Sequence, residues 1–238
     1  MISVCLASFN GIKYIKEQLD SILVQLDSDD ELIVSDDGSS DGTFEFLCSY
    51  AAEHPCVRVL KGPCCGVIEN FENAMSEAKG DYIFLSDQDD IWEANKVSRV
   101  MSVFEENGEH CMLVLHDAEI VDSECNPLGE TLYEFRGSRP GLLRCLYKNP
   151  YVGCCMAFRK SLNRETMPFP KGIEMHDWWI ALNAECGSRA VQIPDKLIKY
   201  RRHESNVSNM HHHPIKKMVH NRIVFIKELI KRRVKLKL

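Results

Sequence analysis

Four short apolar runs, Ile2–Ala7, Glu31–Ser35, Val57–Leu60 and Tyr82–Ser86, recur along the chain with a helical pattern between each pair. That rhythm leaves few folds open. Runs without polar alternation suit strands buried on both faces, and the intervening segments are long enough to be crossover helices. Tyr14 to Leu26 sets Ile15, Leu19, Ile22, Leu23 and Leu26 at helical spacing, and Thr43–Ala52 and Asn70–Ala78 follow. A further helix, Glu93–Glu106, gathers Val97, Val100, Val103 and Phe104 on one face. The expectation is an α/β chain: a mostly parallel central sheet with helices on both faces. Such sheets bind ligands beyond the carboxyl ends of their strands, so the residues just after each strand carry the most information.

Beyond Cys111 the pattern loosens. Met112–His116, Gly153–Phe158 and Leu197–Arg201 read as strands, and Gly141–Tyr147 and Asp177–Cys186 as helices. No Gly-, Pro- or Ser-rich linker splits the 238 residues, so residues 1–210 read as one domain. Residues 211–238 form an appendage, of which Pro214–Leu238 is a single basic amphipathic helix.

Composition mainly excludes. Hydrophobic residues at 45% and charged residues at 27% are ordinary for a globular protein. No apolar run approaches the roughly 18–20 residues that span a bilayer, and the first residues lack a basic n-region and a cleavage site. The eleven cysteines include the adjacent pairs Cys64–Cys65 and Cys154–Cys155 and no C-x-x-C. They read as free thiols, without a disulfide framework, zinc ribbon or thioredoxin motif, and a reducing cytoplasm fits them best. Neither G-x-G-x-x-G after the first strand, nor a Walker sequence, nor a G-x-S-x-G elbow is present, which disfavours dehydrogenases, P-loop NTPases and serine hydrolases.

The net charge of −6 divides unevenly. From His211 onward nine Lys/Arg face one acid, Glu228, so the tail carries +8 and the rest −14. An acidic body does not suit nucleic acid. In the tail, Ile215, Val219, Ile223, Ile226, Ile230 and Val234 recur at three- and four-residue steps. Two readings follow: the stripe packs on the acidic body or on a second subunit, or it lies on the cytoplasmic face of an anionic membrane.

Five polar groups sit where chemistry would be expected. Ala7-Ser8-Phe9-Asn10-Gly11, after the first strand, can hold a flat base or be a simple turn. Asp36-Asp37-Gly38 follows the second strand; a carboxylate there can accept the N3–H of uracil or thymine, or merely form an Asp-Gly turn. It is not an EF-hand loop, since Leu47 stands where the bidentate Glu is required. Asp87-Gln88-Asp89-Asp90 follows the fourth strand. Three carboxylates so close repel one another without a cation, and oxygen ligands suit Mg²⁺ or Mn²⁺. Asp177-Trp178-Trp179 offers a base beside aromatic rings, or an N-cap and core. Tyr200-Arg201-Arg202-His203 offers a phosphate clamp and a metal ligand, or plain surface, and the internal run His211–His213 reads as a polar hinge.

Together VSDDGSSDGT, GDYIFLSDQDDIW and HDWW resemble the family 2 glycosyltransferases of the GT-A fold, from Ile2 to about Val207. The last two stretches look like bacterial polysaccharide enzymes, rhamnosyltransferase-like members among them. The resemblance implies that Asp37 recognises the base and that Ala7, Phe9 and Asn10 line the nucleotide pocket. It makes Asp87 and Asp89 the DxD pair, with Asp89 the stronger metal ligand, and His203 a late ligand. Asp177 becomes the catalytic base, although His176 stands where an acid is usual. Trp178 and Arg201 are assigned to the nucleotide sugar. The implied activity is an inverting transfer from a UDP- or dTDP-sugar, with Mg²⁺ or Mn²⁺, to a saccharide acceptor carried on a lipid. Two other readings remain: a degenerate scaffold, and a sugar-phosphate nucleotidyltransferase, which would want a Gly-rich, Arg-containing loop that ASFNGIKY lacks.

Overall fold

The protein is described from a computed structural model. The structure describes residues 1–139, 141–203 and 215–236. Strand β1 (Ile2–Ser8) lies between β2 (Glu31–Asp36) and β4 (Tyr82–Asp87), and β3 (Val57–Lys61) flanks β2. All four run parallel, joined by helices α1 (Ile15–Leu23), α2 (Thr43–Glu53) and α3 (Val67–Ser76). β2 is buried along its whole length, and α1 turns Ile15, Leu19 and Ile22 into the core, as the apolar spacing requires.

The sheet then becomes mixed. After the two-residue β5 (Ile91–Trp92) and α4 (Lys96–Asn107), β6 (Leu113–Val121) enters the sheet beyond a later strand, β8 (Met156–Arg159). β8 runs antiparallel to both β4 and β6, so those two point the same way. β9 (Ala190–Arg201) runs parallel to β6, and β5 pairs antiparallel with β9. The carboxyl ends of β1, β2, β4 and β9 therefore open on one side, and the short chain from Asp87 to β5 brings Asp89 and Asp90 against the end of β9.

Several elements differ from expectation. Gly153–Cys155 is a 3₁₀ turn, and the strand begins at Met156. β9 extends seven residues before Leu197 because Pro194 falls within a shift of register, where its missing N–H breaks no ladder bond. β7 (Pro127–Thr131), α5 (Leu132–Arg136) and α7 (Lys160–Thr166) are too short to carry a period. α6 (Leu142–Tyr147) and α8 (His176–Glu185) match the sequence reading, and α8 is buried on every side.

The last helix, α9 (Ile215–Leu236), packs on the body, but by the face opposite to the expected stripe. Asn221, Phe225 and Leu229 are buried, with Phe225 against Trp178 at 5.0 Å between ring centres. Arg222 pairs with Glu174 and lies over the Trp178 ring, and Arg232 donates to the carbonyls of Thr166, Met167 and Pro168. The stripe Val219, Ile223, Ile226, Ile230 and Val234 is left 44% to 73% exposed. No described helix is long and apolar enough to cross a membrane. The expected hinge at His211–His213, and with it the boundary between residues 210 and 211, lies outside the described residues.

Candidate functional site

The loops after β1, β2 and β4 are tied to one another before any ligand arrives. The Phe9 N–H donates to Gln88 Oε1 at 2.8 Å, and Gln88 Nε2 donates back to the Phe9 carbonyl at 2.9 Å. Gly11 sits so close that a Cβ there would stand 2.2 Å from Gln88 Oε1, so only glycine leaves the amide in place. Asn10 takes a left-handed backbone, φ 50°, and clasps the next loop: its N–H donates to Ser39 Oγ and its Oδ1 accepts from the Ser40 N–H. Ala7 is half-buried at the end of β1, in register with Ser35 and Asp87, and the Phe9 ring is exposed.

The two β2-end carboxylates serve different loops. Asp36 accepts from the N–H groups of Gly38 and Ser39 and from two serine hydroxyls, closing its own turn. Asp37 reaches across to the residues before α3, accepting from the N–H groups of Cys65 and Gly66. It thus combines a strand end with a helix N-terminus, whose unpaired N–H groups favour a carboxylate.

At the end of β4 the structure gathers the acids. Donor atoms of Asp87, Asp90 and Cys154 lie within 4.8 Å of one another. Burial, then the charges of Asp89 and Asp177, push the Asp87 carboxyl up to about 7. Burial, then Asp89 and Asp87, hold Asp90 well above the usual carboxylate range. One oxygen of Asp90 accepts from the Arg201 N–H; the other is buried and has no partner. Lys96 approaches from beneath, fully buried, with its ammonium 3.9 Å from the centre of the Trp92 ring and donating to the Cys154 carbonyl. Burial lowers it to about 8. Asp89 Oδ2 meets His203 Nε2 at 2.8 Å. A hard divalent cation fits this donor set: it would relieve the carboxylate repulsion and give the orphaned Asp90 oxygen a partner. The contact of Cys154 with Cys155 and its burial push its thiol well above the usual range, while hard cations prefer the carboxylate oxygens to sulfur.

Asp177 opens α8, buried, accepting from the Trp178 N–H and from Asn149 Nδ2 at 3.1 Å. Burial raises it to about 6, against the opposing pull of the Arg136 guanidinium. The turn at Gly153–Cys155 links the HDWW and DQDD stretches, far apart in sequence: a Cβ on Gly153 would stand 3.8 Å from the Asp177 Cβ, and the next residue, Cys154, has its sulfur within 4.8 Å of Asp87 and Asp90 oxygens. His176, in the place of the usual acid, is stacked on Phe71 at 4.2 Å, has no partner on either ring nitrogen, and is pushed down to about 3 by burial. It is a neutral core ring.

Two nominated residues are occupied elsewhere. Trp178 is buried between α6 and α9, its Nε1 donating to the Cys145 carbonyl and its ring covered by Phe225 and Arg222. Arg201 is buried too. Its Nε donates to the Asp89 carbonyl, and its terminal nitrogens to the Ser123 carbonyl and to Glu17. It props the acidic loop from behind. Sequence reasoning counted Gln88 and Asp90 in the acidic run without giving either a role of its own, and it missed Lys96, Asn149 and Arg136, which left faint signals. Lys96 lies four residues before Val100, on the apolar face of its helix, which is an odd place for a charge.

The chain is similar to known proteins. The profile described as "Glycosyl transferase family 2" matches residues 3–167. An uncharacterised protein of Mycobacterium tuberculosis is 26% identical over 215 residues, which cover 87% of this chain and 60% of that protein. The dTDP-rhamnosyl transferase RfbG of Shigella flexneri is 27% identical over 84% of this chain and 72% of its own. Among solved structures, S. aureus TarS 1–349 in complex with UDP-GlcNAc matches with a TM-score of 0.70 at 17% identity, over 98% of this chain and 72% of that one. The mannosyltransferase PcManGT from Pyrobaculum calidifontis, in complex with GDP-Man and Mn²⁺, matches with a TM-score of 0.65 at 20% identity, over 82% and 55%. The likeness to these structures is one of fold, the GT-A type. The chain spans about 60% of the length of the mycobacterial relative.

Proposed function

The chain belongs to glycosyl transferase family 2, and on that premise we propose that it is an inverting glycosyltransferase that uses a UDP- or dTDP-sugar and a divalent cation to extend a surface polysaccharide carried on a lipid. The observation that carries this reading is the approach of Asp177 to the acidic loop through one turn: Gly153 packs against Asp177, and Cys154 beside it lies within 4.8 Å of Asp87 and Asp90 oxygens. The dTDP-rhamnosyl relative and the UDP-GlcNAc complex support the donor class.

In this reading Asp177 takes the proton of an acceptor hydroxyl as that oxygen bonds to the anomeric carbon. The bond to the leaving nucleoside diphosphate breaks in the same step, and a single displacement inverts the centre. A well-placed base contributes on the order of 10²–10⁴ in rate. Asp89 and Asp87, with His203 beside Asp89, would hold Mg²⁺ or Mn²⁺, and Asp90 offers a further oxygen. When bound, the ion supplies charge for the leaving diphosphate. Ala7, Phe9 and Asn10 shape the nucleotide side, where Asp37 would meet the base edge. Residues 1–210 are the catalytic unit.

Incubation with UDP-, dTDP- and GDP-sugars plus Mn²⁺ tests the proposal by its products. Free nucleoside diphosphate marks a transferase, pyrophosphate marks a nucleotidyltransferase, and neither marks a scaffold.

The outward face of α9 supports a second element of the proposal, contact with the cytoplasmic face of an anionic bilayer. Lys216, Lys217, Lys227 and Lys235 are exposed on a helix whose apolar stripe is also exposed. Each cation near such a surface is worth about 1 kcal/mol. Deleting the helix would strip Phe225 from Trp178, so point variants are the better test. Vesicles of anionic lipid should retain the protein at low salt and lose Lys216→Gln/Lys217→Gln/Lys227→Gln. Equal retention, or self-association through the stripe, would assign the face to protein instead.

A further inference from the structure

A cavity of about 430 Å³ opens between α5 and α6, lined by Arg136, Arg139, Arg144 and Lys148, with Leu143 and Tyr147 among its walls. No acid lines it. Among the described residues none of the four cations forms an ion pair, in a body whose first 210 residues carry −14. Arg136 has its Nε buried without a partner, and Lys148 Nζ donates to the Arg136 carbonyl, drawing the two basic residues together. Like charges collected around a cavity repel, and a multiply charged anion offsets that repulsion. Guanidinium groups suit phosphate oxygens, to which they donate in parallel pairs.

The cavity adjoins Asp177. Its wall residues Lys148 and Pro150 bracket Asn149, which donates to Asp177 Oδ1 at 3.1 Å. The Arg136 guanidinium acts on the same carboxylate. In the transferase reading the donor's diphosphate would be served by the acidic loop and a cation held there. Leu143 and Tyr147 are strongly exposed, so apolar surface stands next to the charges. We propose that this cavity holds a phosphate or diphosphate group of the acceptor, and so sets the acceptor's hydroxyl beside Asp177. The inference rests on the transferase reading, and it narrows the acceptor to a phosphorylated one, either a lipid phosphate or a free glycosyl phosphate.

The test is binding of inorganic pyrophosphate to the full chain in EDTA at low ionic strength, where a cation-dependent donor site is silent. Arg139 and Arg144 are exposed, so Arg139→Gln/Arg144→Gln should keep the thermal midpoint and the Mn²⁺-dependent nucleotide affinity of the wild type. Its pyrophosphate affinity should fall at least tenfold, and Arg136→Gln should show the same loss. Farnesyl diphosphate in neutral detergent and glucose 1-phosphate then separate the sources. Tighter binding of the first assigns the site to a lipid phosphate, and equal binding to a free one. No pyrophosphate binding by the wild type, or equal affinity in the variants, overturns the proposal. Since no donor is present, these results stand apart from whether the chain transfers sugar.

Discussion

The strand-end loops of β1, β2 and β4 and the α5–α6 segment approach the same carboxylate, Asp177, and they are built in opposite ways. The loops are closed by reciprocal hydrogen bonds: Gln88 with Phe9, Asn10 with Ser39 and Ser40, Asp37 with the amides before α3. What they leave unsatisfied is negative, in the repulsion among Asp87, Asp89 and Asp90. The α5–α6 segment keeps four cations around a cavity whose described lining holds no acid, with the Arg136 guanidinium acting on Asp177 from its edge. One side is a preformed acidic frame, the other a basic hollow. A group transfer between a metal-held donor and an anionic acceptor would satisfy both at once.

The contrast can be broken most sharply at the carboxylate between the two regions. Asp177→Asn should keep donor binding and lower transfer by a factor on the order of 10² or more, measured as product formed with saturating donor and acceptor. Near-normal turnover would move the base elsewhere and dissolve the contrast. On the acidic side, Asp89→Asn should weaken Mn²⁺-dependent nucleotide binding by at least about tenfold, as loss of a ligand does, without changing the fold. Titration calorimetry with UDP and dTDP reads this directly, and an unchanged affinity would place the cation on Asp87 and Asp90 alone.

A pH profile sharpens the comparison further. Asp177 must be ionised to accept a proton, and burial raises its folded value to about 6. The transfer rate should therefore be level above that value and fall about tenfold per unit below it. Asn149 favours the ionised form, so Asn149→Ala should move the acid limb to higher pH. A limb that stays in place would show that another group controls it. The smallest effect belongs to α9, where the two faces of one helix differ. Ile223→Ser should change stability by less than about 0.5 kcal/mol, since its side chain is exposed. Phe225→Ala, in the buried face, should cost about 3 kcal/mol in denaturant unfolding. Equal costs would mean that the stripe is covered.

How much was legible depended on the range of the interactions involved. The parallel half was legible because strands buried on both faces must be continuously apolar, and their crossovers must show helical spacing. The acidic loop and the HDWW stretch were visible for the same reason, since strand ends and helix starts are local features. Helix α9 shows the limit. Its apolar stripe was plain in the sequence, yet the body is covered by Asn221, Phe225 and Leu229 with the stems of Arg222 and Arg232. Periodicity finds the apolar side of a helix but does not say which side meets the core, because long basic side chains can cover apolar surface as well as leucines do.

The sequence by itself determined the parallel strand–helix alternation of the first half, the acids at the end of β4 and the helix that starts near Asp177. Each of these follows from residue type and spacing over a few positions. Only the tertiary structure decided that Arg201 and Trp178 are supports, that Lys96 lies buried beneath the acids, and that four cations encircle a cavity beside Asp177. Those outcomes depend on pairings such as β5 with β9 and α6 with α8. They bring together side chains dozens of residues apart, which local spacing does not encode.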